Sequence, residues 1–213
     1  MIFCILKGIA KSTLLSIICG LMQPESGELN INTSSPAGYM LQKDHLFEWL
    51  SIFDNACLGL KIRKQLNPES IEYVNTLFEK YGLSDFKNRR PSELSGGMRQ
   101  RAALIRTLAV KPELLLLDEP FSALDYQTRL YVSDEIGAII NNEKITAILV
   151  THDIAEAVSM CSRVLVLTKR PAKIKSVHKI ELDACGETPM QKRNCPKFHE
   201  YFNLIWKELD VHV

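Results

Sequence analysis

Asp118 and Glu119 stand side by side after an unbroken run of leucines, residues 114–117, and just before Pro120. Such an apolar run reads as a buried parallel strand, and acids at its carboxyl end face the ligand crevice of an α/β sheet. Two neighbouring acids there can divide the labour. Asp118 can hold Mg²⁺ through its water shell, while Glu119 orients or deprotonates an attacking water, a role worth roughly 10²–10⁴ in rate. Lys11-Ser12-Thr13 follows an apolar strand and a loop and opens a helix. At such a place backbone N–H groups and the positive helix end hold phosphate oxygens, Lys neutralises charge and the Ser hydroxyl ligates Mg²⁺. Ser95-Gly96-Gly97 starts another helix, with Ser as N-cap and two glycines leaving amide hydrogens bare for an anion. Gln42 and His152 each follow an apolar strand.

The elements that position these residues are read from periodicity and punctuation. Residues 1–6 read as a buried strand, 7–10 as a loop and 12–21 as a helix, ended by Gly20 and then Pro24. Residues 25–28 make a turn, 29–31 a short strand and 38–41 another strand ending at Gln42. From 43 to 93 no long apolar strand occurs. Helices are expected over 52–60 and 70–81, the second with Ile71, Val74, Leu77 and Phe78 on one face. Residues 95–110 read as a helix with Met98, Ala102, Ile105 and Ala109 on its apolar side. The strand 114–117 is followed by a helix over 127–142 that buries Val132, Ile136, Ile139 and Ile140. Then come strand 146–150, helix 154–160, and strands 164–167 and 174–182. Phe198, Phe202, Ile205, Trp206 and Leu209 mark an amphipathic C-terminal helix. Strands alternating with helices imply an α/β fold with a mostly parallel sheet covered on both faces. The expected organisation is one domain over 1–213, with an α/β core of 1–42 and 94–213 and an inserted helical subdomain over 43–93.

Bulk properties narrow the class. Lys+Arg number 26 and Asp+Glu 25, so no field that would gather nucleic acid is implied. No apolar run reaches the roughly 18–20 residues that cross a bilayer, and the first residues lack the basic region of a secretory signal. Cys4, Cys19, Cys57, Cys161, Cys185 and Cys195 are scattered without a CxxC pair, so reduced thiols in or near the core are expected rather than a metal site or disulfides.

The block Leu94-Ser95-Gly96-Gly97-Met98-Arg99-Gln100-Arg101 and the later Leu-Leu-Leu-Leu-Asp-Glu-Pro of 114–120 resemble the signature segment and Walker B strand of ABC-type ATPases. These are the nucleotide-binding subunits of ATP-driven transporters. The resemblance runs over nearly the whole chain and implies a P-loop NTPase-like fold acting on ATP with Mg²⁺. It implies nucleotide contacts for Gly8, Ala10, Lys11, Ser12 and Thr13, and for Ser95, Gly96, Gly97 and Asp125. It assigns metal-binding to Ser12, Gln42 and Asp118, and catalytic roles to Glu119, to Gln42 as the Q-loop glutamine and to His152 as the switch histidine. The signature helix then meets the γ-phosphate on a second copy of the chain, so a homodimer is part of the mechanism. Partners implied are transmembrane permease subunits and, indirectly, a solute-binding protein, on the cytoplasmic face of a membrane and without nucleic acid. Residues 118–129, Gln42-Lys43-Asp44 and Lys169-Arg170-Pro171 look closest to the nitrate/sulfonate/taurine importer class.

Departures from the family pattern raise a second reading. The loop pattern wants glycines where Ile5 and Ala10 stand, and only Gly8 is present. Glycine allows positive φ and close approach to phosphate, so Ile5 is expected to be strained or to reshape the loop. The family pattern also puts two strands and an adenine-stacking aromatic before this loop, where only residues 1–5 stand, so an N-terminally truncated or misread member is expected. The rival reading is therefore a binding or structural remnant without turnover; an ABC-type ATPase working on DNA or ribosomes is disfavoured by the balanced charge. Arg99 and Arg101 are expected to form ion pairs on the helix surface. Leu46, Phe47 and Trp49 fit either subdomain core or an apolar patch that receives a helix from a membrane partner.

Overall fold

In the computed structural model, which describes residues 2–6, 11–168 and 172–210, the apolar runs become one six-stranded sheet. Gly8, Ala10 and the stretch 169–171 lie outside the described residues. Strands β1 (Ile2–Leu6), β2 (Gly38–Met40), β3 (Leu114–Asp118), β4 (Thr146–Thr151) and β5 (Arg163–Leu167) pair in parallel. Strand β6 (Ile174–Lys179) joins β5 antiparallel, and the order is β2-β3-β4-β1-β5-β6. Because the first five strands run the same way, their carboxyl ends share one edge, where a ligand crevice forms in such sheets.

The side-chain alternation of the strands divides the core in two. Leu115 and Leu117 of β3, with Cys4 and Leu6 of β1, join the larger cluster on one face. Leu114 and Leu116, with Ile5, Leu15 and Val150, form the smaller one on the other. A strand apolar on both sides is what a sheet covered on both faces requires.

Helix α1 (Lys11–Ile18) covers the smaller cluster through Leu15. It ends earlier than expected, because Gly20 adopts φ +80° and Leu21 N–H returns to the Ser16 carbonyl, a left-handed stop that glycine makes without a Cβ penalty. Between β2 and α4 (Gly96–Leu108) the described chain forms helices only: α2 (Ile52–Ile62), α3 (Pro68–Lys80) and two 3₁₀ turns. Asn67 and Ser70 cap α3 reciprocally, with Pro68 opening it. Val74, Leu77 and Phe78 of α3 and Ile52, Ala56 and Leu60 of α2 join Ile105 and Leu108 of α4 in the larger cluster, so this helical stretch shares its core with α4. Helices α5 (Tyr126–Asn142), α6 (Ile154–Met160), α7 (Pro189–Arg193) and α8 (Pro196–Asp210) complete the chain. All four residues expected to be buried in α5 are buried. No helix among the described residues is long and apolar enough to cross a membrane.

Four expectations need correction. Ile5 lies within β1, opposite Val150 and Leu165, and is 4% exposed; the strand runs through Leu6, so extended backbone suits a β-branched residue and no strain arises. Residues 29–31 form no strand, and Leu29 and Ile31 are exposed; nothing among the described residues pairs with them. The last strand stops at Lys179, short of 182. Cys185 and Cys195 form a disulfide, closing a loop that holds α7; Cys4, Cys57 and Cys161 are buried thiols as expected.

Candidate functional site

The carboxyl edge of the sheet gathers residues from four separate segments. Lys11 Nζ lies 3.3 Å from Glu119 Oε1. Gln42 Nε2 donates to Glu119 Oε2 at 3.1 Å, and His152 Nδ1 stands 3.5 Å from Oε1. Ser12 Oγ donates to Asp118 Oδ2 at 2.7 Å. Each position follows from the chain: α1 starts at Lys11, Gln42 lies just past β2, Asp118 ends β3 and His152 follows β4. Lys11, Ser12, Gln42, Asp118, Glu119 and His152 therefore meet, with Glu119 at the centre and only 17% exposed as a side chain, while Ser95 is placed elsewhere, at the start of α4.

Glu119 is held by its backbone. Its N–H donates to the Val150 carbonyl and its own carbonyl accepts from Ser122 N–H and from Gln100 Nε2 at 3.3 Å. Its φ is +49°, an uncommon conformation for a non-glycine residue of the kind that collects at working sites. Gln100 is buried on α4 and was not foreseen; a glutamine among the apolar positions of that helix was the available signal.

Asp118 is buried, and burial together with the Glu119 charge pushes its carboxyl above the usual range, although the Ser12 hydroxyl and Lys11 oppose this. A hydroxyl and a carboxylate oxygen 2.7 Å apart are hard donors that fit Mg²⁺. No group of three or more His, Cys, Asp or Glu side chains among the described residues could hold a metal alone. Mg²⁺ binds in that economical way, through one or two protein oxygens and substrate phosphates. The raised carboxyl also sets a stability sign. The folded chain binds this proton more tightly than the unfolded one, so Asp118 costs stability as pH rises through the carboxylate range. Asp118→Asn is therefore expected to make the apo-protein more stable at pH 7, where the buried charge is otherwise present. The gain should vanish below about pH 4, and Mg²⁺-dependent turnover should be lost. Thermal melts across pH and phosphate release check both halves.

The other expected nucleotide contacts lie beside this cluster or outside it. Thr13 is exposed on the first turn of α1. Ser95 caps α4 by accepting from Met98 N–H at 3.3 Å, and Asp125 caps α5 by accepting from Thr128 N–H at 3.0 Å. Gly96 lines an open groove with Gln42, Asp44, Gln100 and Ser122, while Gly97 abuts Leu124. Lys11, Asp118 and Glu119 are not among the residues lining that groove. Gly8 and Ala10 belong to the residues not described.

Residues 7–122 match the family described as ABC transporter. The ABC transporter ATP-binding protein YtlC of Bacillus subtilis (strain 168), itself uncharacterized, is 46% identical over 210 residues, covering 96% of this chain and 81% of its own. The chain belongs to the ABC transporter ATP-binding family. Members of this family hydrolyse ATP, and the chain is the ATPase cassette of a transporter. It is also similar to the sulfate/thiosulfate import ATP-binding protein CysA of Mycobacterium tuberculosis (strain ATCC 25618 / H37Rv). That match is 44% identical over 172 residues, 76% of this chain and 49% of CysA. Among solved structures it resembles MJ0796, a bacterial ABC transporter cassette in dimeric form, with TM-score 0.75, 25% identity and 85% of each chain covered. The α/β fold read from the sequence is the fold of these ABC cassettes.

In this ABC cassette the segment after Gln42 is fastened to α4. Arg99 grips Asp44 with Nε at 2.9 Å and Nη2 at 3.1 Å and also reaches Glu48, while Arg106 donates to the Asp44 and His45 carbonyls. Burial works against the Asp44 charge, but the Arg99 fork and the Leu46 N–H hold its carboxyl below the usual range. Arg101 departs from expectation: it donates to the Tyr81 carbonyl at 2.7 Å. Leu46 is core. Phe47 is partly exposed and Trp49 is 70% exposed, their rings 4.9 Å apart.

Proposed function

We propose that this chain is the ATP-hydrolysing subunit of an ABC importer of the nitrate/sulfonate/taurine-like class, working as a homodimer. The convergence of Lys11, Gln42 and His152 on Glu119, with Ser12 on Asp118 beside it, carries the reading. The likeness to a sulfate/thiosulfate import subunit supports the importer direction, and the dimeric form of MJ0796 supports the dimer.

Each side chain has work that its surroundings allow. Lys11 leaves Glu119 for the phosphates, because a triphosphate offers more negative charge than one carboxylate. Glu119, freed of that partner, orients the attacking water and takes its proton. Gln42, now bonded to Glu119, would hold the same water or the metal's water shell. His152, which is exposed, swings to the γ-phosphate and stabilises charge developing on it. Ser12 and Asp118 hold Mg²⁺, which shields the phosphate charge when bound. Thr13 lies at the phosphate site, and nucleotide binding is assigned also to Gly8 and Ala10. Ser95, Gly96 and Gly97 offer the N-terminus of α4 to the nucleotide on the partner subunit, and Asp125 lies at the start of α5 near that junction.

Residues 43–93 act as a helical subdomain set into a core of 1–42 and 94–213. Gln42 sits where the two meet, so nucleotide state passes to the exposed Phe47 and Trp49, which receive a helix of a membrane permease. A solute-binding protein delivers cargo to that permease, and the cassette works at the cytoplasmic face. Purified chain is expected to release phosphate from ATP with Mg²⁺ present and to stop when EDTA is added. Failure to bind ATP at millimolar concentration would defeat the proposal.

A further inference from the structure

We infer that Arg129 is a positioning residue that ties the loop 122–125 to His152. This rests on the role given to His152 above. Arg129 stands on the first turns of α5, immediately after that loop. Its Nη2 donates to the Leu124 carbonyl at 3.2 Å, and its Nη1 meets Asp153 Oδ2 at 3.4 Å. Its Nε lies 3.8 Å from Glu156 Oε1. The rigid guanidinium plane spaces its two Nη donors apart, so one side chain bridges two elements in a fixed geometry that a single-point ammonium does not set.

The groups it holds bracket His152 in sequence. Thr151 Oγ1 donates to Glu156 Oε2 at 2.6 Å and accepts from Asp153 N–H at 3.0 Å. Asp153 Oδ1 in turn caps α6 by accepting from Ala155 N–H at 2.7 Å and Glu156 N–H at 3.2 Å. Thr151 is 2% exposed and Glu156 4%. The residues on either side of the exposed His152 are thus tied into one network, buried at Thr151 and Glu156 and partly exposed at Asp153 and Arg129, while the imidazole itself is left open toward Glu119. These contacts fix the residues that flank the imidazole, so they set where the ring starts relative to loop 122–125. Arg129 Nε is buried without a hydrogen-bond partner and has only the longer ion pair with Glu156, so the hold on Leu124 and Asp153 rests on the two Nη groups.

The test is Arg129→Ala in the full chain, with Thr151→Val as a second variant that keeps the Arg129–Glu156 pair. In both, kcat for ATP should fall roughly ten- to a hundredfold, as small misplacements of reacting groups do. KM for ATP should stay within roughly threefold, because ground-state binding is untouched. The His152 ring resonance, read by NMR without nucleotide, should shift in both. Arg129→Ala added to His152→Ala should slow the enzyme no further than His152→Ala alone. An unmoved His152 resonance, or losses that multiply in the double variant, would overturn the inference. If His152→Ala hydrolyses ATP as fast as the parent, the catalytic role of His152 fails instead, and the resonance shift alone decides the positioning role.

Discussion

Glu119→Gln is expected to lower ATP turnover by roughly 10²–10⁴, the usual worth of a positioned general base, while ATP still binds. The two side chains have the same shape, and glutamine tolerates the left-handed backbone at this position no worse than glutamate. An amide oxygen still accepts from Gln42, and Lys11 is released toward phosphate at no cost in geometry. What disappears is the ability to take a proton. ATP then stays intact between the subunits, so the variant should accumulate as an ATP-dependent dimer in sedimentation while phosphate release stops. A variant that retains more than about a tenth of the parent rate would remove Glu119 from the role of base.

Gly96→Glu is expected to abolish ATP-driven dimerisation and with it turnover, without harming the subunit. A Cβ built at Gly96 meets nothing within 4 Å, and Gly96 is the first residue of α4. An acid in the first turn of a helix complements its dipole by ~0.3–1 kcal/mol, so the melting temperature should hold or rise. Gly96 lines an open groove in the single subunit, and on the proposed reading the added side chain strikes the partner's nucleotide. Its negative charge would then face phosphate where bare amides should be. Fluorescent ATP should bind the isolated variant as it binds the parent, while the dimer peak is missing. A full-strength dimer would mean that this helix end does not face the nucleotide of another subunit. Gly97 is unsuited to the same test, since a Cβ there comes within 3.3 Å of Leu124.

The strands were legible because each is an apolar run of adjacent residues, and the cluster because its members sit just beyond the ends of such runs. Apolar runs marked β3 and β4, and the chemistry sat at their ends, so reading the runs placed Asp118, Glu119 and His152 on one sheet edge. Supporting residues were not legible in that way. Gln100 serves the backbone carbonyl of Glu119, and Arg129 serves Leu124, Asp153 and Glu156; such partners become neighbours only in the folded chain. Residues 29–31 alternate polar and apolar as a strand would, but a strand needs a neighbour, and none is present among the described residues. Residues 1–6 read as a strand, and β1 bears this out; what failed was the strain expected from motif spacing, because pairing with both β4 and β5 keeps Ile5 in extended backbone. The Cys185–Cys195 bond joins residues ten apart, a spacing with no signature of its own.

The clasp of nucleotide between two subunits is best tested by solving the Glu119→Gln protein with ATP and Mg²⁺ in excess. Ser95 of one subunit should lie within hydrogen-bonding distance of the γ-phosphate whose other oxygens touch Lys11 of the second. Nucleotide bound at Lys11 with no neighbouring subunit's Ser95 near it would contradict the account.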